Sequence, residues 1–130
     1  YLTQDRMLRF AQQKGLAVSA FSPLGATSYL ELDMADEQEL VLDHPTICDI
    51  AGEVSKTPAQ IVLRWGIQRQ TSVIVKSVQD HRMRENLAIT DFVLSNEQME
   101  RISRLNQNRR FNDPGAFCES AFNTFHPIYD

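Results

Sequence analysis

Two short apolar runs limit what this chain can become more than any other feature in it. Leu16 to Phe21 and Val73-Ile74-Val75 each read as a buried strand, the first leaving through the turn Ser22-Pro23-Leu24-Gly25 and the second stopping at Lys76-Ser77. Two helical patterns lie between them. Pro45 suits a first helical position, with Ile47, Ile50, Ala51 and Val54 following at helical spacing. Thr57-Pro58 then starts a second helix with Ile61, Val62, Leu63 and Trp65 inward. A crossover of that size is ample for a parallel pair of strands. Upstream, Thr3 is placed to cap a helix with Leu8 and Ala11 on one side and Met7 and Phe10 beside them, and Gly15 is placed to end it. Helix then strand across one glycine is half of a parallel α/β unit, so the fold class is α/β. Two parallel strands, however, can neither close a sheet nor cover both of its faces.

The second strand leads straight into Asp80-His81-Arg82-Met83-Arg84-Glu85-Asn86, a helix with Arg82, Glu85 and Asn86 on neighbouring positions. A strand that stops where a helix begins gathers backbone N–H groups and side-chain donors at one rim, where an anion can be held. Lys76 and Arg82 add positive charge there to a chain whose formal net charge is −4. A local cationic rim in an acidic chain suits a small anionic ligand, and with no Lys/Arg block it argues against a nucleic-acid groove. No run reaches membrane-spanning length. The 130 residues are enough for one small domain and too few for two.

The rim resembles the adenosine-phosphate site of the aldo-keto reductases, whose pattern is Ile-Pro-Lys-Ser, then an arginine, then Glu-Asn. The resemblance implies that Lys76, Ser77 and Arg82 hold the 2'-phosphate of NADPH, that Arg82 also packs on the adenine, and that Glu85 and Asn86 meet the adenine edge. Val75 departs from the pattern's proline, but valine holds an extended backbone equally well. Three further segments agree in the same order. Phe21-Ser22-Pro23-Leu24-Gly25 resembles the turn that ends the seventh strand of the family's barrel. Phe21 would there stack on the nicotinamide, and Ser22 and Leu24 would border the pyrophosphate. Lys56-Thr57-Pro58-Ala59-Gln60-Ile61-Val62-Leu63-Arg64-Trp65 resembles a helix of the family that reads as structural. Arg110-Phe111-Asn112-Asp113-Pro114 is similar to the tail of the xylose reductases, which makes Asn112 and Phe117 substrate-side candidates. Asn112 has a second reading as an ordinary turn residue before Asp-Pro.

The resemblance covers essentially the whole chain. It implies the C-terminal part of a (β/α)8 TIM barrel: residues 1–107 would carry strands seven and eight with their flanking helices, and 108–130 the substrate-side tail. The implied protein is a cytoplasmic NADPH-dependent reductase of aldoses or small aldehydes, a monomer or homodimer completed by the N-terminal portion of its own barrel. The family's catalytic Asp, Tyr, Lys and His set belongs to that other portion, so no catalytic residue is assigned here. The alternative is a non-catalytic remnant or interaction piece. An opening at Tyr1-Leu2-Thr3 with no methionine reads as a segment of something longer.

Other features are less specific. The acidic, leucine-containing stretch from Glu31 to Asp43 is either a long functional loop with one helical turn or a solvated face. Trp65, at helical spacing from Ile61 and Val62, reads as core rather than as a stacking platform. Ser95-Asn96-Glu97-Gln98 is a capping box opening a last helix with Met99, Ile102 and Leu105 inside. Cys48 and Cys118 form no CxxC pair and read as incidental thiols of a reduced compartment. His44, His81 and His126 lack metal-ligand spacing. The tail from Asn108 holds five aromatics with few aliphatics to bury them, so it must lie over another surface.

Overall fold

A computed structural model describes residues 2–32 and 35–115, together with Glu119 and Asn123. Helix α1 (Asp5–Gln13) leads into strand β1 (Val18–Ala20), and α2 (Pro45–Val54) and α3 (Pro58–Gln68) cross over to β2 (Thr71–Val73). Helices α4 (Asp80–Leu87) and α5 (Asn96–Ser103) follow. The two strands pair in parallel, Val18 with Thr71, Ser19 with Ser72 and Ala20 with Val73.

The helix ends follow from local chemistry. In α2, Pro45 stands in the first turn and the His44 imidazole accepts the Thr46 amide at 3.2 Å. Thr57 and Gln60 form a reciprocal capping box on α3, as Ser95 and Gln98 do on α5, each satisfying two amides that the first turn leaves without helical partners. Gly15, at φ 67°, closes α1 in the left-handed region, with Leu16 donating to the Ala11 carbonyl and Gly15 to that of Gln12. Thr3 does not cap α1. Its hydroxyl donates to the Asp5 carboxylate at 2.8 Å and its amide to Asn106 Oδ1 at 3.2 Å, so the helix starts after Gln4 with no side-chain cap.

The core lies among α2, α3 and α5. Ile47, Ile50, Ala51, Ile61, Val62, Leu94 and Ile102 form it, with Met99, Leu105 and Trp65 packed at its margin. Trp65, half-buried against the core, keeps a polar handle: its indole N–H donates to Ser103 Oγ at 3.3 Å and the Arg69 guanidinium lies 4.2 Å from its ring centre.

Helix α3 lies close against β2 at Gly66. A Cβ there would sit 3.0 Å from Val73 Cγ1 and 3.4 Å from Thr71 Oγ1, whose hydroxyl donates to the Gly66 carbonyl at 2.7 Å. Gly66→Leu is expected to cost roughly 1–3 kcal/mol in a denaturant melt because it forces α3 off the strand. Gly66→Ala should cost far less, since better helix propensity offsets the crowding. Equal stability of the Leu variant and the parent would refute the close approach.

The strands are shorter and more open than the apolar runs suggest. The ladder spans Thr71–Val73, not Val73 to Val75, and Ile74 is 76 % exposed. Pairing stops there because β1 ends at Ala20 and the chain turns out through Ser22, at φ 46°. One sheet face meets α3. On the other, Ser19 and Ser72 are exposed and share a 2.7 Å hydroxyl–hydroxyl hydrogen bond. The described residues from 27 to 43 include three short 3-10 turns, Thr27–Leu32, Glu37–Glu39 and Val41–Asp43, the last two lying wholly within the Glu31 to Asp43 stretch for which the sequence suggested one. An Asp36–Glu39 capping box sets the second, and Val41 and Leu42 pack against the core.

Candidate functional site

The first group of site residues sits where β1 ends. The Gly25 amide donates to the Ser22 carbonyl at 2.9 Å, closing a turn in which Ser22 and Gly25 both have positive φ. Any side chain at Gly25 would also meet Val41, with a Cβ only 2.5 Å from Cγ1, so this turn is pressed against the 41–43 segment. The turn aims its residues differently. Phe21 is 74 % exposed, Ser22 is exposed, and Leu24 is half-buried against the hydrophobic core.

A cavity of about 530 Å³ opens beside this turn. Phe21, Ser22, Tyr29, Arg69, Arg110 and Asn112 are among its walls. Tyr29 and Phe111 stack with ring centres 6.0 Å apart and an interplanar angle of 21°. Arg109 lies over the Phe111 ring at 5.0 Å and pairs with Glu39 at 3.1 Å. These contacts bind the tail to the 27–43 segment. The Asp36 amide, and then Arg109, hold the Glu39 carboxyl below its usual range. Deeper in, Arg69 donates at 2.6 Å both to the Thr3 carbonyl and to Asp5, tying α1 to the end of α3. Burial draws the Arg69 pKa down against the opposing pull of Asp5.

The second group occupies the rim after β2. Lys76 is exposed and Ser77 half-buried, with the Ser77 hydroxyl accepting the Gln79 amide at 3.1 Å. On α4, Arg82 is exposed and Glu85 and Asn86 are half-buried. The Glu85 backbone carbonyl accepts the Gln60 side-chain amide at 3.0 Å, which fastens α4 to α3.

The candidates therefore fall into two sets. Phe21, Ser22 and Asn112 share the cavity, whereas Leu24, Lys76, Ser77, Arg82, Glu85 and Asn86 are not in its wall. Phe117 lies outside the described residues. Sequence reasoning missed Tyr29, Glu39 and Arg109. The Asp36-x-x-Glu39 spacing was a readable signal for Glu39, but nothing local announced its partner 70 residues away. Among the described residues no cluster of His, Cys, Asp or Glu could hold a metal ion, and no helix is long and apolar enough to cross a membrane.

A parallel strand pair with a helical crossover, bearing an aromatic-Ser-Pro-Leu-Gly turn past one strand end and Lys-Ser past the other, is a unit of the parallel α/β class. The family model for the aldo/keto reductase family matches residues 1–107, and the chain belongs to that family, whose fold is the (β/α)8 barrel. The chain is 48 % identical over 118 residues to a probable NAD(P)H-dependent D-xylose reductase of Aspergillus clavatus, covering 89 % of this chain and 36 % of that protein. It is 47 % identical over 118 residues to a protein of the same description from Neosartorya fischeri, covering 89 % of this chain and 37 % of the relative. An NAD(P)H-dependent D-xylose reductase of Kluyveromyces lactis is 39 % identical over 128 residues, covering 96 % of this chain and 39 % of the relative. The chain thus spans a little over a third of the length of the curated relatives it matches.

Proposed function

We propose that this chain is the C-terminal part of the barrel of a cytoplasmic NADPH-dependent aldo/keto reductase that reduces an aldose, with xylose first among candidates, or a small aldehyde. Residues 1–107 contribute the strands that stand seventh and eighth in the closed barrel, and 108–130 form the substrate-side tail. One observation carries the reading. Lys76 and Ser77 lie just past the C-terminal end of β2, and Arg82, Glu85 and Asn86 follow on the next helix, where barrel enzymes place their ligands.

The donor chemistry of that rim fits NADPH. Lys76 and Arg82 supply two exposed cations and Ser77 a hydroxyl, a set matched to a phosphate ester. Glu85 and Asn86 supply polar groups for the adenine edge. At the other strand end Phe21 offers an exposed aromatic face for the nicotinamide, with Ser22 and Leu24 beside the pyrophosphate. Asn112 and Phe117 take the substrate side. When bound, NADPH supplies a hydride to the carbonyl carbon. The residues of this chain bind and orient, while the proton donor belongs to the N-terminal portion of the barrel.

That portion also accounts for the uncovered apolar surface, which includes Phe21, Ile74, Val78 and Val93. The 130-residue chain alone is therefore expected to associate at micromolar concentration and to melt without cooperativity, followed by light scattering and circular dichroism. A cooperative, monomeric melt would count against the partial-barrel assignment. The activity itself is tested in the full-length polypeptide by following NADPH oxidation with xylose and with short aldehydes. Absence of NADPH binding to that protein would sink the reading.

A further inference from the structure

Helix α4 carries most of the adenosine-phosphate candidates, yet it buries none of its side chains. Met83 and Leu87, its apolar residues, are both exposed. Apolar packing therefore does little to fix where this helix stands. Its anchoring comes instead from a polar row on α3. Gln60, Arg64 and Gln68 recur every fourth residue and so share one face of that helix. Each donates to a backbone carbonyl of the segment after β2: Gln60 Nε2 to Glu85 at 3.0 Å, Arg64 Nη1 to Ile89 at 3.1 Å, and Gln68 Nε2 to Leu94 at 3.0 Å. Neighbours hold the row in place. Arg64 Nε donates to Gln68 Oε1 at 2.7 Å, and that same oxygen accepts the Leu94 amide at 2.7 Å.

Of the three, Gln60 alone reaches α4 itself. Only 5 % exposed, it uses both ends of its amide: Oε1 accepts the Thr57 amide at 3.0 Å in the α3 cap, and Nε2 points across to Glu85. Among the described residues no other side-chain hydrogen bond enters α4 from α3. A buried amide with both ends used holds one orientation, because either flip would leave a polar group unsatisfied.

We propose that Gln60 is a positioning residue for the cofactor rim: through the Glu85 carbonyl it sets the placement of α4, and with it Arg82, Glu85 and Asn86, toward the adenosine 2'-phosphate. This rests on the cofactor reading given above. Gln60 touches no ligand and acts only through the helix it holds.

The test is made in the full-length polypeptide that carries this segment. Gln60→Glu keeps an oxygen for the Thr57 amide but replaces the donor facing Glu85 with an acceptor. Thr57→Ala removes the hydroxyl that accepts the Gln60 amide at 3.3 Å and leaves the Glu85 link intact. Thr57→Ala thus weakens the α3 cap while sparing the link to α4, and Gln60→Glu keeps the cap while cutting that link. Gln60→Met, which buries no charge, serves should the Glu variant fail to fold.

Two readouts are compared: amide hydrogen exchange of peptides covering residues 80–90, and affinity for adenosine 2',5'-bisphosphate. Gln60→Glu is expected to speed exchange in α4 and to weaken bisphosphate binding about tenfold, the scale of one lost buried hydrogen bond. Thr57→Ala should lower the melting temperature while leaving both readouts at their wild-type values. Unchanged exchange and affinity in both Gln60 variants, or equal changes in Thr57→Ala, would overturn the proposal. A wild-type protein that does not take up the bisphosphate overturns the cofactor reading itself. Failure of the anchor alone would instead leave wild-type binding intact and the Gln60 variants indistinguishable from it.

Discussion

If the proposed cofactor reading holds, Lys76→Ala and Arg82→Ala in the full-length polypeptide are each expected to raise the KM for NADPH by about 10- to 100-fold, the equivalent of one charge-assisted contact of roughly 1.5–3 kcal/mol. The KM for NADH changes little, because that cofactor lacks the 2'-phosphate. Direction matters more than size here. A cation that recognises the ester must discriminate between two cofactors differing only in that ester, whereas one that merely supports the rim should weaken both alike. Steady-state kinetics with each cofactor, at fixed xylose, separate the two cases. Equal losses would refute the phosphate assignment. Lys76→Arg should recover part of the NADPH preference, since it keeps the charge but changes its shape and hydration.

Ile61→Ala is expected to cost about 2–5 kcal/mol, the usual range for emptying a fully buried aliphatic site. Ile61 is 0 % exposed, and it stands in the first turns of α3 next to Gln60. The helix it seats touches α2 on one side and β2 and α4 on others. The change therefore loosens the crossover and the rim together, and the chemical denaturation midpoint of the full-length protein measures it. A shift equivalent to less than about 1 kcal/mol would mean that α3 is not central to the core.

How much of this could be read in the residues depended on how local each feature is. Helices α2, α3 and α5 were legible because their start signals lie within four residues: Pro45, Thr57 with Gln60, and Ser95 with Gln98. The strand limits were not, because a strand's length is set by its partner. Val73-Ile74-Val75 looked continuous, yet pairing ends where β1 runs out at Ala20. Thr3 misled in a related way, its hydroxyl being engaged by Asp5. The Lys76–Arg82 rim was readable from its residues as a place for a small anion, but the roles of Phe21, Ser22 and Asn112 only through likeness to a family. Nothing in the spacing of Phe21, Ser22 and Asn112 shows that they border one cavity, or that the Lys76 rim stands outside it. Arg69 reaching back to Thr3, 66 residues away, was equally invisible.

The clasp between the tail and the 27–43 segment bears on any attempt to graft a new specificity onto this scaffold. Tyr29 and Glu39 meet Phe111 and Arg109, so the two stretches form a matched pair joined by an aromatic stack and an ion bridge. A tail borrowed from another reductase arrives without its counterpart, leaving a buried tyrosine with no ring to rest on and a carboxylate with an altered neighbour. Chimeras built on this scaffold should therefore transplant both stretches as a single cassette.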